Sequence, residues 1–449
     1  MFALSACAGA KDDGGYSSGG GSEGGVSPSG IGVYPTGKKT LIDSETGLVV
    51  DSAVRGDADV EGVPAKDTDA GDETVDSPEE ANEINRAGLI TASAWDDNQY
   101  YSAYTDLFVK GQTEDEDGKF IRFVDGKWWF DTTNRVKVTV KEGENPVVGA
   151  TVTYYTEDQT ALTAVTNAKG EAFLFPNAES GTLHVKSGEN ETTAEFSAEE
   201  RDLAVELVSG RAKDNVIKLM FVVDVTGSMG DELDYLKVEL ADVIRRVAQA
   251  NDGVRIDLAL LFYRDTDDDE KFAYAEFKTV SDNETTLGEQ MAFLKRQTAM
   301  GGGDYPEAVD EAIELAVGKD WGTENSTKMI FFVLDAPPHS ESKNISLCGS
   351  SVKAAAAKGI RICPILCSGA DDLTEYVTRQ GALYTGGTFI FVTDDSGIGG
   401  SHHDPDLPNA VVEKLNELMI RLINGYHTGI FEAPKPYNAE QTQSEIETE

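Results

Sequence analysis

The run Val216-Ile-Lys-Leu-Met-Phe-Val-Val223 limits this chain's fold more than any other stretch. It is apolar at nearly every position and does not alternate, so a strand built from it is buried on both faces. Covering both faces requires helices above and below a parallel sheet, an α/β architecture. A helix is predicted to follow, because Leu233, Leu236, Leu240, Val243 and Val247 recur every three or four residues. Between strand and helix lies Asp224-Val-Thr226-Gly-Ser228-Met-Gly230. That loop sits beyond the carboxyl end of the strand, where open α/β sheets collect their ligands. One carboxylate and two neutral hydroxyls suit a small hard cation such as Mg²⁺, which takes few protein oxygens and keeps its waters. So lightly charged a site leaves the ion able to accept a carboxylate from another molecule.

Asp224-x-Thr226-x-Ser228 resembles the metal-ion-dependent adhesion site of von Willebrand factor type A domains, and the resemblance runs from about Asn215 to Gly425. Three further stretches fit it in order: Phe262-Tyr-Arg-Asp265 at a strand end, Gly301-Gly-Gly-Asp-Tyr-Pro-Glu-Ala308 opening a helix, and Phe331-Phe-Val-Leu-Asp335-Ala-Pro-Pro-His339. The resemblance implies a doubly wound, Rossmann-like α/β domain over residues 209–430. It implies that Thr226 and Ser228 offer hydroxyls, and Asp224 and Asp335 carboxylates, to Mg²⁺, Ca²⁺ or Mn²⁺. The implied partner is a protein presenting an acidic residue. One place departs from the family pattern: where a threonine usually follows two glycines, this chain has Gly303, with Asp304 next. If Asp304 coordinates, a third carboxylate weakens the pull on an incoming one. If it only binds metal-bound water, or caps a helix starting at Pro306, the usual logic holds. Glu307 and Asp231 read as favouring helix N-termini through the dipole. The acidic loop Asp265–Glu270 lacks the glycine-punctuated spacing of a calcium loop and reads as solvated, while His339, His402 and His403 read as loop residues.

Alternation of strand and helix continues through this region. Strands are predicted at 216–225, 254–263, 273–277, 328–335, 360–366 and 388–393, and helices at 230–249, 287–297, 306–318, 346–358, 373–380 and 407–424. Residues 134–208 read as a second fold class, an all-β sandwich. Val136, Val138 and Val140 alternate with Arg135, Lys137 and Thr139, and turn signals recur at Asn145-Pro146, Asn167-Ala-Lys-Gly170 and Ser187-Gly-Glu-Asn190. Pro146–Ala150 and Thr166–Ala172 resemble the carboxypeptidase-regulatory-like, immunoglobulin-like sandwich, which implies a spacer without catalysis. Residues 84–133 crowd aromatics together and read as a small packed module or a brace for the next domain.

Residues 8–83 are rich in Gly, Ser, Asp and Glu and read as a disordered linker, with an apolar hint of a lone hairpin at 40–51. Ahead of it, Leu4-Ser-Ala-Cys7 resembles a bacterial lipobox within residues 1–7, which implies a lipid on Cys7 and an extracellular, membrane-tethered place. Only six residues precede Cys7, fewer than the charged and apolar regions of a signal need, so this reading takes the written start to be late. Residues 431–449 read as a disordered tail.

Eighty acidic residues against 38 basic ones give a net charge of −42. That argues against nucleic acid or an anionic membrane surface as partner and leaves a lipid anchor as the one membrane contact. No Gly-x-Ser-x-Gly sits at a strand-to-helix elbow, since the two matches, Gly15–Gly19 and Gly20–Gly24, lie in the Gly/Ser-rich linker; no phosphate-binding Gly-Lys-Ser/Thr loop or Cys-x-x-Cys pair occurs, and Ser228 has no histidine near it in sequence. The expectation is therefore a binding protein rather than an enzyme; a scaffold holding a structural ion is the second reading and metal-assisted hydrolysis the third. Cys363 and Cys367, four residues apart on one predicted strand, stand about 13 Å apart at ~3.3 Å per residue and cannot bond. With Cys348 they are expected to be reduced and buried.

Overall fold

The computed structural model describes residues 41–42, 49–50, 90–113, 116–125, 131–396, 402–405 and 407–438. The expected lipobox and nearly all of the expected linker lie outside these. The chain divides into two units, Met1–Thr74 and Val75–Glu449. In the first, β1 (Leu41–Ile42) and β2 (Val49–Val50) pair antiparallel, the hairpin expected there.

In the second unit, β3 (Thr91–Trp95) is followed by two short helices, α1 (Tyr101–Asp106) and α2 (Ile121–Asp125). The sandwich comes next: β4 (Val136–Glu142), β5 (Asn145–Pro146), β6 (Thr151–Tyr155), β7 (Ala161–Val165), β8 (Glu171–Leu174), β9 (Gly181–Ser187), β10 (Asn190–Phe196) and β11 (Asp202–Glu206). One sheet runs β10-β9-β6-β7; the other runs β11-β4-β5, with β8 also on β4. The alternating valines Val136, Val138 and Val140 face inward and share one core with Val152, Leu183 and Val185.

The head contains β12 (Val216–Asp224), α3 (Gly230–Ala250), β13 (Arg255–Tyr263), β14 (Phe272–Thr279), α4 (Glu284–Lys295), α5 (Val309–Gly318), β15 (Thr327–Leu334), α6 (Ser342–Ala357), β16 (Ile360–Leu366), α7 (Asp372–Thr385), β17 (Phe389–Thr393), β18 (Glu413–Lys414) and α8 (Leu415–Thr428). Its eight strands are ordered β14-β13-β12-β15-β16-β17-β3-β18. Every residue of β12 is buried, and the two faces separate cleanly. Ile217, Leu219, Phe221 and Val223 join the core beneath α3, α4 and α8, whereas Met220 and Val222 join the one beneath α5 and α6. Cys348, Cys363 and Cys367 are free and buried, as expected.

Three expectations change. Among the described residues of 90–133 none forms a core apart from the head. β3 inserts between β17 and β18, with Phe389 opposite Trp95, and Tyr104 from α1 is fully buried in the head. The brace reading is the physical one, since a five-residue strand and two single-turn helices have too little apolar surface to stand alone. The last helix starts at Leu415, not Leu407, because Asn409 takes a left-handed φ of 66° and Glu413 pairs with Ala92. The first part of the tail is ordered: Tyr437 N–H donates to the Val412 carbonyl and Phe431 packs edge-on to Tyr426.

The sandwich is docked on the head. Phe173 and Phe175 enter the head's core, and Phe175 stacks on Tyr384 with centroids 5.0 Å apart. Asn325, just before β15, donates from Nδ2 to the carbonyls of Val148, Arg211 and Ala212. A Cβ on Gly149 would lie 1.9 Å from Asn325 Oδ1, so only glycine permits this approach. These contacts all lie at the amino ends of the parallel strands, so the carboxyl ends face away from the sandwich.

Candidate functional site

β12 and β15 run side by side in parallel, with Val223 opposite Val333. Asp224 ends one strand and Asp335 follows the other, so the pairing itself brings the two carboxylates to one end of the sheet. Both are buried. Thr226 donates to Asp224 Oδ1 twice, from its amide at 2.8 Å and its hydroxyl at 2.7 Å, while Asp224 Oδ2 has no hydrogen-bond partner. Ser228, exposed on a 3-10 turn over Gly227–Met229, lies beside Asp335 and favours its charged form. The four residues expected to hold a cation are therefore together.

The glycine loop closes over them. Gly301 accepts from the Gly227 amide, and the Met300 amide donates to the Val225 carbonyl. Gly302 has φ +73°, and a Cβ there would lie 2.9 Å from Glu307 Oε1 and 3.3 Å from Thr226 Cβ, so the loop can lie this close only as glycine. Arg264, buried, braces the loop from beneath by donating to the carbonyls of Met300, Glu270 and Thr298.

The structure corrects the capping role of Asp304. Asp304 is exposed, and helix α5 begins only at Val309 with Ala308 as its N-cap, so Asp304 caps nothing. The helix starts late because the Glu307 amide donates to the Pro337 carbonyl, pinning residue 307 beside the end of β15. Glu307 is consequently not a residue of the helix's first turn. Its side chain is 5% exposed, and Oε2 has no partner. Burial, and then the charges of Asp224, Asp265, Asp335 and Asp268, push its carboxyl up to about 9. Burial and the charge of Asp335 push Asp224 up to about 7 against the hydrogen bonds from Thr226. Asp335 is also raised, by burial, against the Ser228 hydroxyl. No signal in the sequence marks Glu307, because what places it is a backbone bond to a loop 30 residues away.

The acidic loop is partly built in rather than solvated. Asp265 accepts from the Thr266 amide at 2.6 Å and pairs with His339 Nε2 at 2.8 Å, and Asp268 Oδ2 accepts from the Gly302 amide at 3.0 Å. His339 is thus committed to Asp265. His402 and His403 are committed as well, to Ser368 and Asp394 and to Glu375. Glu375 also takes Lys119 and Arg379, which leaves the neighbouring Asp372, Glu375 and His403 cluster neutralised by cations of the protein itself.

Two buried carboxylate oxygens without partners, beside two hydroxyls and a third carboxylate, form an all-oxygen donor set with excess negative charge. That chemistry fits a hard divalent cation. Asp224, Asp335, Thr226 and Ser228 are the residues placed to hold it, with Glu307 facing them.

Residues 218–385 match the family model described as von Willebrand factor A domain, and the α/β head is similar to domains of that type. Among curated proteins the chain is similar to the alpha-protein kinase vwkA of Dictyostelium discoideum, 28% identical over 123 residues, 27% of this chain and 19% of the relative. It therefore spans about a fifth of that relative's length. Among solved structures it is similar to the pilus adhesin SpaC of Lactobacillus rhamnosus GG in its open conformation, at 12% identity and TM-score 0.35, over 65% of this chain and 36% of the adhesin. It is similar to BatB of Bacteroides thetaiotaomicron at 19% identity and TM-score 0.26, over 52% of this chain and 100% of BatB. The proximal thread matrix protein 1 of the mussel byssus, with a zinc-occupied MIDAS motif, gives 11% identity and TM-score 0.29, over 38% of this chain and 41% of that one. At such TM-scores these likenesses add nothing to the family match.

Proposed function

We propose that this chain is a surface-tethered module that binds a protein partner in a divalent-metal-dependent way, capturing an acidic side chain at the carboxyl end of the head's sheet. The observation that carries the reading is the pair of partnerless buried oxygens, Asp224 Oδ2 and Glu307 Oε2, beside Asp335, Thr226 and Ser228. Mg²⁺ is the expected ion, with Ca²⁺ or Mn²⁺ as substitutes. Bound there, such an ion supplies an electrophilic position for a partner's carboxylate. The protein's part is to hold the oxygens still. Thr226 fixes Asp224, the Ser228 hydroxyl favours the charged form of Asp335, and Arg264 with the two left-handed glycines sets the roof. The docked sandwich lies at the far end of the sheet and leaves this rim open to a partner, while a lipid on Cys7 would supply the tether. Binding proceeds without turnover in this reading, in which His339 is spent on Asp265.

Glu307 favours a second reading, a scaffold with a structural ion. A third carboxylate offsets the ion's charge and lessens its pull on an outside acid. Calorimetric titration with Mg²⁺ or Mn²⁺ should give one site that Asp224→Ala abolishes while far-UV circular dichroism is unchanged. Pull-down from the protein's own surroundings, with and without EDTA, then separates the readings: capture lost with EDTA supports the adhesive one, and indifference supports the scaffold. Undiminished metal binding by Asp224→Ala would sink both.

A further inference from the structure

Positive charge gathers at the seam between sandwich and head, from Arg361, which is buried, through Lys213 and Lys328, which are half-buried, to Arg211 and Lys358, which are exposed. A cavity of about 190 Å³ opens there between the Val165–Ala168 turn and Val148-Gly149 on one side and Thr323–Lys328 and Lys358–Arg361 on the other. Five cations line it: Arg211, Lys213, Lys328, Lys358 and Arg361. Its one lining carboxylate, Glu324, is already taken by Arg255 at 2.6 Å and Lys218 at 3.5 Å. Among the described residues no carboxylate reaches ion-pair distance of Lys213, Lys328, Lys358 or Arg361, and Arg211 has Asp214 only at 3.6 Å. The hydroxyl of Ser326, which also lines the cavity, is buried without a partner.

These cations use backbone carbonyls instead. Lys358 donates to the Val317 carbonyl at 2.7 Å, Lys328 to the Lys358 carbonyl at 3.3 Å, and Arg361 to the Thr385 and Val165 carbonyls at 2.6 Å each. Val317, Thr385 and Lys358 lie at helix ends, where a positive charge is favourable. That accounts for one cation at each end. It does not account for five around one cavity, where burial, and then the like charges of Lys218, Lys358 and Arg211, outweigh the attraction of Glu324 and act against the charge of Lys328. Burial likewise lowers Lys213 to about 8. An ammonium has three donors and a guanidinium five, so each group retains capacity toward a ligand.

We propose that this cavity binds a small multivalent oxyanion, either phosphoryl or polycarboxylate, between Lys328 and Lys358 of the head and Arg211 and Lys213 at its border with the sandwich. Two or more anionic oxygens on a compact frame are what these donors match, and binding here joins the two folds across their seam. The site is independent of the acidic one at the other end of the sheet.

The full chain, held in EDTA so that metal plays no part, is titrated calorimetrically with inorganic pyrophosphate and, separately, with citrate. One-to-one binding is expected in at least one arm, weakening with added salt, and the arm that binds names the source. Lys328→Gln and Lys358→Gln should each lower affinity about tenfold, the loss of one charge-assisted contact. Lys328→Gln should also raise the ligand-free melting temperature, because it relieves repulsion. A helix-capping role alone predicts the opposite: a lower melting temperature and no change in affinity. That result, binding in neither arm, or binding unaffected by both substitutions would overturn the proposal.

Discussion

Removing the Asp97 carboxylate while Arg379 stays should be among the most damaging single changes in the molecule. Asp97 belongs to the segment just after β3, and Arg379 to α7, 282 residues later in sequence. The guanidinium donates to both carboxylate oxygens, Nε to Oδ2 at 2.9 Å and Nη2 to Oδ1 at 2.5 Å, and the side chains are 2% and 1% exposed. The rings of Tyr104, Phe120 and Phe389 surround it, so water cannot replace the lost partner. Breaking a buried pair from one side costs about 3–5 kcal/mol. Glu375 still accepts from Nη1 at 2.8 Å, which places Asp97→Ala near the lower end, about 3 kcal/mol. For a domain of this size that is a fall of roughly 6–12 °C in melting temperature. Urea unfolding monitored by tryptophan fluorescence supplies the free energy, and Asp97→Leu with Arg379→Met in one chain is the control. If the penalty comes from the stranded charge, the double variant is more stable than Asp97→Ala. A single-variant loss below about 1 kcal/mol, or a double variant as unstable as the sum of its singles, would refute the claim that this ion pair staples β3 and its helices to the head.

Glu307→Gln replaces a carboxyl that must take up a proton to stay buried beside Asp224 and Asp335 with a neutral amide, so the metal-free protein near neutral pH should become more stable, by about 1 kcal/mol, while Mg²⁺ affinity measured by calorimetry falls. Lower metal-free stability with unchanged affinity would show that Glu307 is only packing. His427 supplies the pH test: burial, and then the charge of Lys213, hold it down to about 4 from an ordinary 6.5. The unfolded chain therefore takes up the proton first. His427's contribution should be complete above pH ~6.5 and drain away as pH falls toward about 4, and His427→Gln should flatten that part of the urea-midpoint profile. An identical profile in both proteins would contradict the assignment.

The head was legible in sequence where local pattern and tertiary fate coincide. The non-alternating run to Val223 is buried on both faces because helices cover both, and the i, i+3, i+4 stripe of α3 lies against it. Asp224, Thr226, Ser228 and Asp335 could be grouped because each sits at the end of a predicted strand, and parallel pairing takes strand ends to one place. What was hidden depends on partners distant in sequence. β3 looks like part of an aromatic module until β17 supplies its pairing, and α5 starts late because the Glu307 amide is taken by Pro337. The basic cavity is invisible for the same reason, since its cations are scattered from Arg211 to Arg361 through a chain with twice as many acids. These two omissions share an electrostatic logic. At the carboxyl end of the sheet the fold buries Asp224, Asp335 and Glu307 with no cation paired to them among the described residues, and at the amino end it gathers five cations around one carboxylate, Glu324, already paired to Arg255 and Lys218. Moving one charge from each cluster would relieve both, so the separation costs stability and is not something the fold requires. Ligands of opposite sign at the two ends, a divalent cation above and an oxyanion below, are what such a separation is suited to hold.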